Sequence, residues 1–110
     1  MNDYPLDISH KIGTCNFEAR YLNNLSYAYN SLEESRRAIN YLQQSLEIQQ
    51  EIGDKRGESD SWFNLGNSRK NLQQKSEAKT AYENARKLYQ AMKLDQKVEK
   101  CDEAIQNLEN

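Results

Sequence analysis

Apolar residues in this chain recur every three or four positions, and no stretch alternates with a period of two. Leu22, Leu25, Tyr29 and Leu32 form one series; Ala78, Ala81 or Tyr82, Ala85, Leu88 or Tyr89, and Met92 form another. Side chains three or four apart stack on one face of a helix, so each series predicts an amphipathic helix with a single buried stripe. A third series, Val98, Cys101, Ile105 and Leu108, predicts a last helix kept soluble by Lys97, Glu99, Lys100 and Asp102.

The pattern repeats. Ile12 to Ala19 aligns with Ile52 to Ser59 at an offset of 40 residues. The same offset places Asn24 on Asn64, Leu25 on Leu65, Leu32 on Leu72, Ala38 on Ala78, Ser45 on Ala85, Ile48 on Leu88 and Ile52 on Met92. A third copy starts at Val98 and sets Ile105 opposite Leu65. Self-similarity at this period signals stacked supersecondary units, each burying its apolar face on its neighbours. The reading is one domain over 1–110, with a partial repeat at about 1–16, full repeats at 17–56 and 57–96, and a capping helix at 97–110.

Gly13, Gly53 and Gly57 fall in the repeated connection, where a residue tolerant of positive φ can end a helix. The turns inside the units, Asn30 to Ser35 and Asn71 to Ser76, have neither Gly nor Pro, and Ser35 is their candidate N-cap. A leading helix, roughly Leu6 to Ile12, is expected to cover one end of the stack. A continuous coiled coil is the rival, because Leu25, Leu32, Ile39 and Leu46 are seven apart. Arg36 and Gln43 spoil its companion positions, and the equivalent series Leu65, Leu72, Lys79, Arg86 loses its apolar character halfway.

Composition narrows the function classes. Charged residues are 29% and the hydrophobic set 36% of 110 residues, a balance suited to slender helices sharing a thin core. The formal net charge of -2 comes from scattered residues of both signs, so no nucleic-acid or anionic-lipid footprint is expected. No apolar run approaches a membrane span and no signal-peptide core follows Met1, which makes a cytoplasmic address the default expectation. Cys15 and Cys101 lie far apart and read as reduced thiols.

The second unit resembles the tetratricopeptide repeat, whose marks are a bulky residue, Leu-Gly, Ala, an aromatic and Ala at fixed offsets. Trp62, Leu65-Gly66, Ala78, Tyr82 and Ala85 carry these marks, and Leu22, Leu25-Ser26, Tyr29, Ala38, Leu42 and Ser45 answer more loosely in the first unit. Small residues (Ser26, Ala38, Ser45, Gly66, Ala78, Ala85) belong where two helices approach to about 8–10 Å. The absence of a Pro after the second helix and the run Glu47 to Ile52 fit a 40-residue subclass. Arg69, standing where the first unit has Tyr29, would have to lay its stem on the core and send its charge outward.

The resemblance implies an all-α fold, a right-handed superhelical solenoid of antiparallel helix pairs with two full units and partial capping helices at both ends. It also implies a concave face lined by the first helix of each unit, where a partner segment lies. That face is expected to carry Arg20, Asn23, Asn24, Tyr27 and Asn30 from the first unit and Asp60, Phe63, Asn64, Asn67 and Lys70 from the second. Asn24 and Asn64 are the sharpest candidates, since an amide can both donate to and accept from a peptide backbone; the competing role is to tie the helices together. Tyr27 and Phe63 are candidate anchors, with the core between repeats as the alternative place for Phe63. The charges of Asp54 to Glu58 are expected to pair locally at helix ends.

Catalysis finds little support. His10 and Cys15 are the one close pair of base and nucleophile, without a third orienting group or oxyanion donors, and one His with two distant Cys gives no metal-ligand spacing. The expectation is a non-catalytic module with no cofactor and no metal, which binds a protein or peptide. The alternatives are an element that self-associates as a homodimer and a regulatory part of a larger signalling protein.

Overall fold

The computed structural model describes residues 5–31 and 34–109, with side chains from residue 13 onward. The described residues form five helices: α1 (Pro5–Ser31), α2 (Ser35–Ile52), α3 (Lys55–Asn71), α4 (Lys75–Ala91) and α5 (Asp95–Leu108). No strand occurs among them. Each helix packs on the next, and α1 also touches α3. The result is elongated, with a radius of gyration of 15.0 Å, against about 13 Å for a sphere-like domain of this length.

The three turns after α2, α3 and α4 share one construction. Gly53, Gln73 and Lys93 have φ of 75°, 64° and 59°, the left-handed conformation that ends a helix. After each, an amide reaches back over the last turn: Asp54 to the Gln49 carbonyl, Gln74 to Arg69 and Leu94 to Tyr89, each at 2.9 Å. This six-to-one bond is the signature of the Schellman motif. The next helix begins at once, with Asp54, Gln74 and Leu94 as N-caps.

Two of the three glycines do not act as breakers. Gly13 lies inside α1, so Leu6 to Ile12 belongs to that helix and is no separate leading element. Gly57 lies in the first turn of α3. Its role there is steric: a Cβ would stand 2.6 Å from Gln49 Nε2 and 2.9 Å from Asp54 Cγ. Ser35 is likewise the first residue of α2 and not its cap, which is Glu34; the Ser35 hydroxyl donates to Asn30 Oδ1 at 2.8 Å.

The core runs as a thin seam between the layers. Ile39, Leu42, Leu46, Leu65 and Ala81 join α2, α3 and α4, with Trp62 and Leu72 against them. Ala78, Tyr82 and Leu108, then Ala85, Tyr89 and Cys101, carry the seam to α5. All six expected small residues are buried. Arg69 is half-buried, and its guanidinium donates to Gln74 Oε1 at 2.8 Å across the turn.

A polar spine crosses this seam. Ser45 donates to the Ala19 carbonyl at 3.0 Å and meets the Ser61 hydroxyl at 3.2 Å, and Ser61 donates to Gln49 Oε1 at 2.8 Å. These buried groups tie α1, α2 and α3 together, and buried hydroxyls without such partners would be costly.

Candidate functional site

One face of the stack is shared by α1, α3 and α5, since each is separated from the next by one helix and α1 touches α3 directly. A groove of about 290 Å³ opens there, walled by Asn23, Asn24 and Tyr27 of α1, Asp60, Phe63 and Asn64 of α3, Tyr89 of α4 and Lys97 and Lys100 of α5. A neighbouring recess of about 380 Å³ adds Asn16, Arg20, Asp54 and Arg56. Seven of the ten expected residues therefore line one continuous surface. Asn30, Asn67 and Lys70 line neither hollow.

The asparagines divide by role. Asn64 Nδ2 donates to Asn23 Oδ1 at 2.7 Å, and Asn71 Nδ2 donates to Asn30 Oδ1 at 3.0 Å, two rungs linking α1 to α3. The Asn67 carboxamide oxygen accepts from the Tyr82 hydroxyl at 2.6 Å. Asn24 is exposed and makes no hydrogen bond within the described residues.

The aromatic candidates divide as well. Tyr27 is 68% exposed. Phe63 is half-buried, its ring 5.2 Å from that of Tyr82, so it belongs partly to the core and offers the groove one edge.

Charge on the wall is uneven. Asp60 accepts a hydrogen bond from the Tyr89 hydroxyl. Burial first, and that bond second, push the Tyr89 phenol well above its ordinary range, so it stays a neutral donor. Asp54 is used as a cap, accepting from the Gly57 amide at 2.9 Å. Lys55 lies 3.8 Å from Glu58, the local pairing expected for this segment. Arg20, Arg56, Lys97 and Lys100 make no ion pair among the described residues.

Arg56, Lys97, Lys100 and Tyr89 were not anticipated in the groove. Arg56 sits on what turns out to be the first turn of α3, and α5 supplies Lys97 and Lys100 as the first helix of a third unit would. The 40-residue offset sets Asp60 opposite Lys100, and this correspondence was the sequence signal available for the lysine. No cluster of three or more His, Cys, Asp or Glu that could hold a metal occurs among the described residues. Cys101 is buried, and burial, then Asp102, push its thiol up to about 11. No described helix is long and apolar enough to cross a membrane.

Comparison with known proteins gives the family. The tetratricopeptide-repeat profile matches residues 17–91. Tetratricopeptide repeat protein 28 of Homo sapiens is 38% identical over 63 residues, which are 56% of this chain and 2% of that protein. The chain thus spans a small fraction of this relative's length. With the profile covering α2, α3, α4 and most of α1, the chain belongs to the tetratricopeptide-repeat family.

Proposed function

We propose that the chain is a non-catalytic module that holds an extended or helical segment of a protein partner across α1, α3 and α5, and that this segment is acidic. Repeats of this family generally mediate protein–protein interactions. The observation that carries the finer reading is the electrostatics of the groove. Four cations without an ion pair among the described residues, Arg20, Arg56, Lys97 and Lys100, face it. Its two carboxylates are both hydrogen-bonded within the chain.

Such a wall attracts carboxylates over a Debye length and selects partners by charge. Tyr27 supplies an exposed aromatic anchor, and Asn24 a free amide that can pair with the partner's backbone.

Selection from a random peptide library tests this. The native chain is expected to enrich peptides rich in Asp and Glu, and an Arg20→Glu, Lys100→Glu variant with unchanged helicity should bind them about tenfold more weakly or worse. Enrichment of uncharged or basic peptides, or equal binding by the variant, would contradict it.

A further inference from the structure

A third hollow, of about 440 Å³, opens beside the groove where α5 begins. Its walls bring together four cations: Arg56 from the first turn of α3, Lys93 from the turn after α4, and Lys97 and Lys100 from α5. Asp95 is its one carboxylate among the described residues, and none of the four cations is in an ion pair there. Leu94 also lines the hollow and packs on the core of Ala85, Tyr89 and Cys101, which fixes this wall to the stack. The hollow shares Arg56 with the recess and Lys97 and Lys100 with the groove, so all three form one surface.

The repeat does not demand these lysines. At the 40-residue offset, Lys93, Lys97 and Lys100 stand on Gly53, Gly57 and Asp60. Those three have local work: Gly53 ends α2 with a φ of 75°, Gly57 leaves room for Gln49, and Asp60 accepts from Tyr89. Lys93 holds its turn at a φ of 59°, a left-handed position that the uncharged Gln73 fills equally in the preceding turn. Like charges gathered in one hollow repel one another, so the fold gains nothing from collecting them.

We propose that this hollow takes the phosphoryl group of a phosphorylated serine or threonine in the partner. The proposal rests on the acidic-segment reading for the path of the peptide and goes further in naming a modified residue. Charge decides the occupant. A partner carboxylate carries one charge and leaves most of the four cations unmatched, whereas a phosphoryl group carries about −1.5 to −2 at pH 7 and three acceptor oxygens. Arg56 offers a fork to two such oxygens, and the lysine ammonium groups offer point charges to the rest. A long polyanion suits the chain less well, because its formal net charge is -2 and both signs are scattered along it. Phosphorylation of the partner then raises affinity without any change in the groove.

Degenerate peptide libraries with a fixed central phosphoserine, serine or glutamate test this. Retention by the native chain is expected to be about tenfold higher or more with phosphoserine than with serine, with glutamate much nearer to serine. Lys93→Gln removes a charge that lines neither the groove nor the recess, and installs a residue that this kind of turn already accepts at Gln73. The variant should cut the phosphoserine gain by about threefold or more and leave acidic serine peptides bound as before. Equal retention of the phosphoserine and serine libraries, an equal gain from glutamate, or a phosphoserine gain untouched by Lys93→Gln would each overturn the proposal. A serine library that yields no acidic peptides sinks the groove reading instead, and the comparison of phosphoserine with serine still decides this one.

Discussion

At the scale of single residues, the structure turns on how small side chains admit large ones. Gly66 is the clearest case: a Cβ there would stand 2.5 Å from Tyr82 Cε1 and 2.6 Å from Cδ1. The Tyr82 ring fills that space, bonds Asn67 through its hydroxyl and packs on Phe63, and so positions one wall of the groove. Gly66→Ala gains helix propensity of about 1 kcal/mol but must displace the ring, which typically costs about 1–3 kcal/mol. We expect a net loss of up to about 2 kcal/mol by urea denaturation, with a stabilised variant as the contrary result. The asparagines show where residue-level reasoning from sequence stops. Asn24 and Asn64 hold matching positions, yet the Asn64 donor is spent on Asn23 while Asn24 is left open. That difference depends on a neighbour 41 residues away, which no local pattern reveals.

At the scale of elements, the helices after α1 begin at Ser35, Lys55, Lys75 and Asp95, twenty residues apart. The 40-residue repeat is thus a hairpin of two equal halves, which explains why its period was legible while its joints were not. The hydrophobic stripes fix the helices, since burial enforces their spacing. The turns are set by backbone geometry that several residue types can adopt: Gly53, Gln73 and Lys93 do the same work, so glycine alone marked one connection correctly and misplaced two. Gln73 and Lys93 pay for a left-handed φ that glycine adopts freely. Gly53→Ala is therefore expected to destabilise the fold by about 1 kcal/mol, and Gln73→Gly to stabilise it by about 0.5–1 kcal/mol. Thermal unfolding of the two variants checks the pair; shifts of the same sign would refute the assignment of these turns.

At the scale of the whole molecule, stacking carries helices from successive units to one side and so makes a surface that no single unit has. The all-helical stack followed from periodicity and family resemblance; of the residues expected from α1 and α3, Asn30, Asn67 and Lys70 do not border the groove. The contribution of α5 was harder to see, because Lys97 and Lys100 read in isolation as solvating charges on a capping helix. Their meaning appears only once α5 stands beside α3 with Asp60 already committed to Tyr89. Selection of a binding sequence alone would not locate the site. The most direct measurement is therefore a nuclear magnetic resonance titration of the native chain with the acidic peptide that the library selects. Amide shifts should concentrate at Arg20, Asn23, Asn24, Tyr27, Arg56, Asn64, Lys97 and Lys100, and weaken with added salt. Shifts centred on the outward faces of α2 and α4, around Gln44 and Glu83, would contradict a partner held in the concave groove.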